Sequence, residues 1–158
     1  MHIARRAAAA LLTTAGLTLL AGATAGAAIA DEGATVALKA PLAASLPTDP
    51  MLNGVAPGPA PWAIASGAVQ LRTDGKLTVA INRLVLVNRG TAGPVHSIDA
   101  SVYCGEETTA AATTPTVPLT KTGKALIKTT LTLPAQCLAP TVLIHPLGIA
   151  TLYIAASA

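Results

Sequence analysis

The sequence predicts an all-β protein: an antiparallel β-sandwich of immunoglobulin-like type with seven or eight strands and one disulfide, with a small β-barrel as the alternative fold. Three observations predict it. Apolar residues alternate with polar ones in short runs separated by turn residues, at spacings near ten residues. No stretch beyond the N-terminal segment carries the helical period. The chain has only two cysteines, Cys104 and Cys137, each at or just past the end of a run.

The first element is not part of that fold. Arg5 and Arg6 precede an uncharged run from Ala7 to Leu20, then small residues through Ala28-Ile29-Ala30 and the acidic pair Asp31-Glu32. A basic start, a short apolar stretch and small residues at the last and third-last positions describe a secretory signal peptide over 1–30, cut after Ala30, with Ala25 as a second possible site. Ala23 stands where a lipid-bearing cysteine would follow Leu20-Ala21-Gly22, and plain alanines follow the arginine pair, so general secretion is expected. Cleavage leaves 128 of the 158 residues, enough for one domain with a core. It also leaves eight Lys/Arg against seven Asp/Glu, and no run of basic residues along the chain suggests nucleic acid as a partner.

Residues 31–61 carry six prolines and many alanines, which oppose both helix and a continuous ladder, and read as a loosely packed lead-in with one short strand over 35–39. The β-sandwich domain is expected over 62–158. Trp62 opens it and is expected to plug an edge of the core. Ile64, Val69 and Leu71 mark the first run, broken by Ser66-Gly67 as a bulge. Asp74-Gly75 makes a tight turn into a long run over 77–87, where Leu77, Val79, Ile81, Val85 and Val87 share a face and Leu84 and Leu86 make the second face apolar. After the turn-rich 88–94, Ile98, Ala100, Val102 and Cys104 share one face, with Ser97, Asp99, Ser101 and Tyr103 on the other. The loop 105–115 leads to a short strand over 117–119, where Pro118 indicates an edge, and Thr122-Gly123 turns into a run with Ala125, Ile127, Thr129, Leu131 and Leu133 on the core face. Residues 141–158 are apolar and uncharged, but His145-Pro146 and Gly148 divide them into a hairpin of strands 142–145 and 149–155, and no membrane span is expected after signal cleavage.

Two cysteines in an exported domain point to one disulfide, Cys104–Cys137. There is neither a C-x-x-C pair for redox work nor the tight spacing of a zinc site. The remaining histidines past the signal are His96 and His145. They are expected at a surface or strand end; the alternative pairs them on a metal, with Asp99 or Glu106-Glu107 as further ligands. A Ser-His-Asp arrangement fails on Asp99, which lies three residues from His96 and so on the opposite face of a strand. No G-x-S-x-G elbow occurs. No catalytic, cofactor-binding or metal residue is assigned, and no enzyme activity is expected.

The span "PWAIASGAVQLRTDGKLTVAINRLVL" with "SVYC" and "LPAQCLAP" behind it resembles the small exported proteins of unknown function common in high-GC Gram-positive bacteria. That resemblance covers 62–155 and implies secretion and a disulfide-linked β domain, and it carries over no site residue. The expected function is a non-catalytic module, secreted or associated with the cell wall, that binds a protein or polymer through its sheet face or through loops 88–94 and 105–115. The alternative is a small extracellular metal- or ligand-binding protein, or a weak enzyme, using His96 and His145. Neither partner nor oligomeric state is legible in the sequence.

Overall fold

The computed structural model describes residues 33–158; the expected signal peptide and its cleavage position lie outside the described residues. Thirteen strands follow one another: β1 (Val36–Ala44), β2 (Ala56–Pro57), β3 (Trp62–Ala63), β4 (Ser66–Arg72), β5 (Lys76–Asn82), β6 (Val85–Leu86) and β7 (Ser97–Cys104). Then come β8 (Ala112–Thr113), β9 (Val117–Pro118), β10 (Ala125–Thr130), β11 (Pro140–Pro146), β12 (Leu152–Tyr153) and β13 (Ala155–Ser157). Nine of them form one sheet in the order β10-β5-β4-β1-β13-β11-β7-β8, with β9 also pairing β7.

That order has a physical pivot in β1. Its first part, Val36–Pro41, pairs antiparallel with β4, while Leu42–Ala44 pairs with β13. The sheet curls there, and its two halves face each other. Alternation supplies the buried faces: Val69, Leu71, Leu77, Val79 and Ile127 from one half meet Ile98, Ala100, Val102, Val142 and Ile144 from the other. Fully burying each large aliphatic side chain in this layer stabilises the fold by roughly 2 kcal/mol. At the far side β9 comes alongside β10, so the curl is nearly closed. The expected class holds, all-β with an antiparallel main sheet and one disulfide, and its shape lies between the sandwich and the barrel. Trp62 is buried in the main core, as expected.

Several expectations are corrected. The described part of the expected lead-in, 33–61, is not loosely packed: β1 is a nine-residue strand inside the sheet, and residues 33–158 form one compact unit with no boundary at 62. Residues 45–58 are stitched across the outer face of the second half. Gly58 donates to the Tyr153 carbonyl at 2.8 Å, Ala56 to that of Thr151 at 3.2 Å, and the Tyr153 hydroxyl to that of Pro50 at 2.8 Å. Under this cover Tyr103, Leu143, Tyr153 and Ala156 form a second, smaller cluster with Val55. Ala37, Ala40, Ala43 and Ala44 hid most of β1, and prolines are tolerated in the cover because few of its amides join a ladder.

The bulge expected at Ser66-Gly67 is absent, since β4 and β5 pair without a register shift; the irregularity lies in β1, between Val36 and Leu38. Gly67 instead permits a close approach. A Cβ there would come within 2.6 Å of Ile64 Cδ1 and 2.9 Å of Leu42 Cβ. At the Asp74-Gly75 turn only Gly75 takes positive φ, so the connection is a three-residue hairpin loop with glycine in the left-handed position. The long run expected over 77–87 ends at Asn82. Arg83 takes φ 60° and turns the chain, so that Leu84 and Leu86 cap the core while Val87 is exposed. In the final hairpin the return strand begins late, with β12 pairing parallel to β2 and β13 joining β11.

Candidate functional site

The chemistry-bearing residues fall into two places, both set by β7. At its C-terminal end Cys104 stands opposite Pro140 of β11 and is bonded to Cys137, with the two Cα atoms 4.8 Å apart. The bridge ties the loop after β7 to the segment before β11. Between them is a cleft of about 490 Å³ lined by Gly105, Glu107, Ala110, Gln136 and Leu138 among others, and Leu138 is 76% exposed. Asn53 holds the same loop from the other side, donating from its side-chain amide to the carbonyls of Gly105 at 3.0 Å and Glu107 at 2.8 Å. Asn53 and Gly54 both take positive φ between Leu52 and Val55, which exchange two backbone hydrogen bonds. This is a two-residue hairpin turn, for which Asn-Gly is the strongest local signal. In the sequence the surrounding prolines of 31–61 mask this turn signal.

The second place is the outer face of β7 and β11. The register puts His145 directly opposite Asp99. His145 is fully buried and Asp99 is 3% exposed. The His145 Nδ1 lies 2.7 Å from the Leu152 carbonyl oxygen, which can only accept, so Nδ1 carries a proton and Nε2 faces away from that bond. Both Nε2 of His145 and Oδ1 of Asp99 are buried with no hydrogen-bond partner. Burial pushes the Asp99 carboxyl above the ordinary carboxylate range, against the opposing pull of His145 and of the Gly148 and Asp99 backbone amides.

The structure therefore pairs Asp99 with His145, whereas the sequence considered it against His96. His96 is exposed, with Nδ1 3.1 Å from the Pro94 carbonyl oxygen. Ser101, the next residue along the buried face, has its hydroxyl bonded to that of Thr113 at 2.9 Å. Glu106 and Glu107 are both exposed, and only Glu107 lines the cleft. Among the described residues no group of three His, Cys, Asp or Glu side chains could hold a metal ion. Asp99 and His145 are thus neighbours across the register and both buried, with no hydrogen bond or ion pair between their side chains. No protein-family model, curated protein or solved structure matches the chain.

Proposed function

We propose that the chain is a secreted, immunoglobulin-like, non-catalytic module that binds a protein or polymer outside the cell or at the cell envelope. The observation that carries this reading is the clamped cleft. The disulfide on one side and Asn53 on the other hold loop 105–111 in place beside 134–138, which presents the exposed Leu138 and the carboxylate of Glu107 at the rim. Loops fixed in advance lose less entropy on binding. The disulfide suits an oxidising compartment. No described helix is long and apolar enough to cross a membrane. The resemblance to exported bacterial proteins points the same way.

The alternative role for His96 and His145 has no specific observation in its favour, since one imidazole is exposed and the other buried against Asp99. Expression of the full chain in a bacterial host tests the reading. The intact mass recovered from the medium is expected to lack residues 1–30 and to lie about 2 Da below the dithiol form. The purified protein is expected to sediment with isolated cell envelopes, and Leu138→Asp to reduce the bound fraction. An uncleaved chain held inside the cell, or sedimentation indifferent to Leu138→Asp, would count decisively against the proposal.

A further inference from the structure

At the end of the fold opposite the cleft, three connections converge: the β5–β6 link at 82–84, the β6–β7 loop over 88–92 and the β9–β10 turn over 120–124. Backbone hydrogen bonds lock them together, Leu84 donating to Gly123 at 2.9 Å and Ala92 to Lys121 at 2.9 Å, while Thr120 donates to Lys124 at 3.0 Å within the turn itself. They enclose a depression of about 370 Å³ lined by Asn82, Arg83, Gly90, Thr122 and Lys124. Arg83 and Lys124 line it, and Arg89 and Lys121 are the chain neighbours of Gly90 and Thr122, so the three loops together carry four cations. All four are exposed.

None of the four has an acidic partner among the described residues. Both ion pairs found there, from Arg72 and Lys76, belong to Asp74 at the other end of β5. The described acids are Asp49, Asp74, Asp99, Glu106 and Glu107, and no loop at this end carries one. Arg83 occupies the left-handed region at φ 60°, as Asn53, Ala139 and Leu147 do elsewhere, which costs a non-glycine residue about 1 kcal/mol that glycine at the same place would avoid. Thr122 and Asn82 add neutral hydrogen-bonding groups to the lining, so phosphate oxygens would meet donors as well as charge.

We infer that this depression is a binding site for a flexible, phosphate-bearing polyanion. An open site with four spread cations suits a chain that engages several of them in turn, since each exposed contact alone is weak and screened by salt. The surface is distinct from the cleft and is tested on purified protein, so the inference stands or falls independently of export.

The probe is a long-chain inorganic polyphosphate, titrated against the purified full chain at 50 mM salt. Arg83→Gly relieves the backbone strain, so it is expected to leave thermal stability equal or higher while weakening binding roughly tenfold, the loss of one phosphate contact at that ionic strength. Lys124→Gln is expected to act similarly. Lys39→Gln, the same change of net charge on the outer face of β1, is expected to leave affinity unchanged. A log affinity against log salt slope near −3 is expected for four contacts, falling by about 0.7 in each cradle variant. Equal weakening by Lys39→Gln, or full affinity in Arg83→Gly, would overturn the site. Retention on anionic lipid vesicles or single-stranded DNA with none on polyphosphate would overturn the ligand.

Discussion

Removing the Cys104–Cys137 bridge tests the architecture most directly. The crosslink spans 33 positions of sequence. In the chain-entropy description it withholds freedom from the unfolded state, and a loop of this length corresponds to about 3.7 kcal/mol at 25 °C. Taking a urea m-value of roughly 1.5 kcal/mol/M for a domain of this size, the midpoint of the Cys104→Ala, Cys137→Ala protein is expected to fall by roughly 2.5 M. Because Cys137 packs against the core from a partly buried position, the alanine at 137 adds a smaller packing loss in the same direction. Reduced wild-type protein separates the two contributions, as it loses the crosslink and keeps both sulfur atoms. Urea denaturation of oxidised, reduced and double-alanine proteins, followed by tryptophan fluorescence from the buried Trp62, gives the comparison. A loss below about 1 kcal/mol in both altered forms would refute the reasoning, because the loop would then be constrained equally well without the bond.

Gly67→Ala introduces a Cβ at 2.6 Å from Ile64 Cδ1 and 2.9 Å from Leu42 Cβ. The Ile64 tip can rotate away but the Leu42 Cβ cannot, so a loss of about 1–3 kcal/mol in chemical denaturation is expected instead of the gain that alanine usually brings to a strand. Leu71→Ala, at a fully buried site between the sheet halves, is expected to cost about 3 kcal/mol by the same measurement. Asp99 gives a pH dependence: its folded-state pKa is raised above the ordinary 3.8, so its contribution to stability is full below that value and is lost as pH rises through the raised one. Asp99→Asn is expected to remove this decline, and melting curves of the two proteins that run parallel from pH 3.5 to 8 would count against it.

The local features were legible and the convergent ones were not. Asp74-Gly75 announced its hairpin because the turn residues and the alternating runs beside them lie within a few positions of one another. The disulfide was legible from composition, since two cysteines leave one pairing. β1 was missed over most of its length because Ala37, Ala40, Ala43 and Ala44 blur the contrast between its faces. Asn53-Gly54 was a readable turn signal, obscured by the prolines around it. Arg83 carries no mark of the left-handed backbone that stops β5, as nothing in an arginine favours it. The Asp99–His145 pair depends on the register of β7 against β11, which is settled by contacts from distant parts of the chain. The cationic depression is invisible to any search for basic runs, because Arg83, Arg89, Lys121 and Lys124 lie on three separate loops.

β1 also fixes when the molecule can be complete. Leu42 pairs with Ser157, and the Ala158 amide donates to the Pro41 carbonyl at 3.1 Å, so the first strand of the sheet is joined to the second half by the last. During synthesis, which proceeds from the N-terminus, the Leu42–Ala44 flank of β1 has no partner until Ala155–Ser157 have emerged. The β4–β5 hairpin can form early, but curling the sheet must wait for β13. Topologies that rely on such distant pairings fold slowly, on the scale of milliseconds to seconds. The order of strands thus makes closure of the curl a late event, with β1 as the strand that waits.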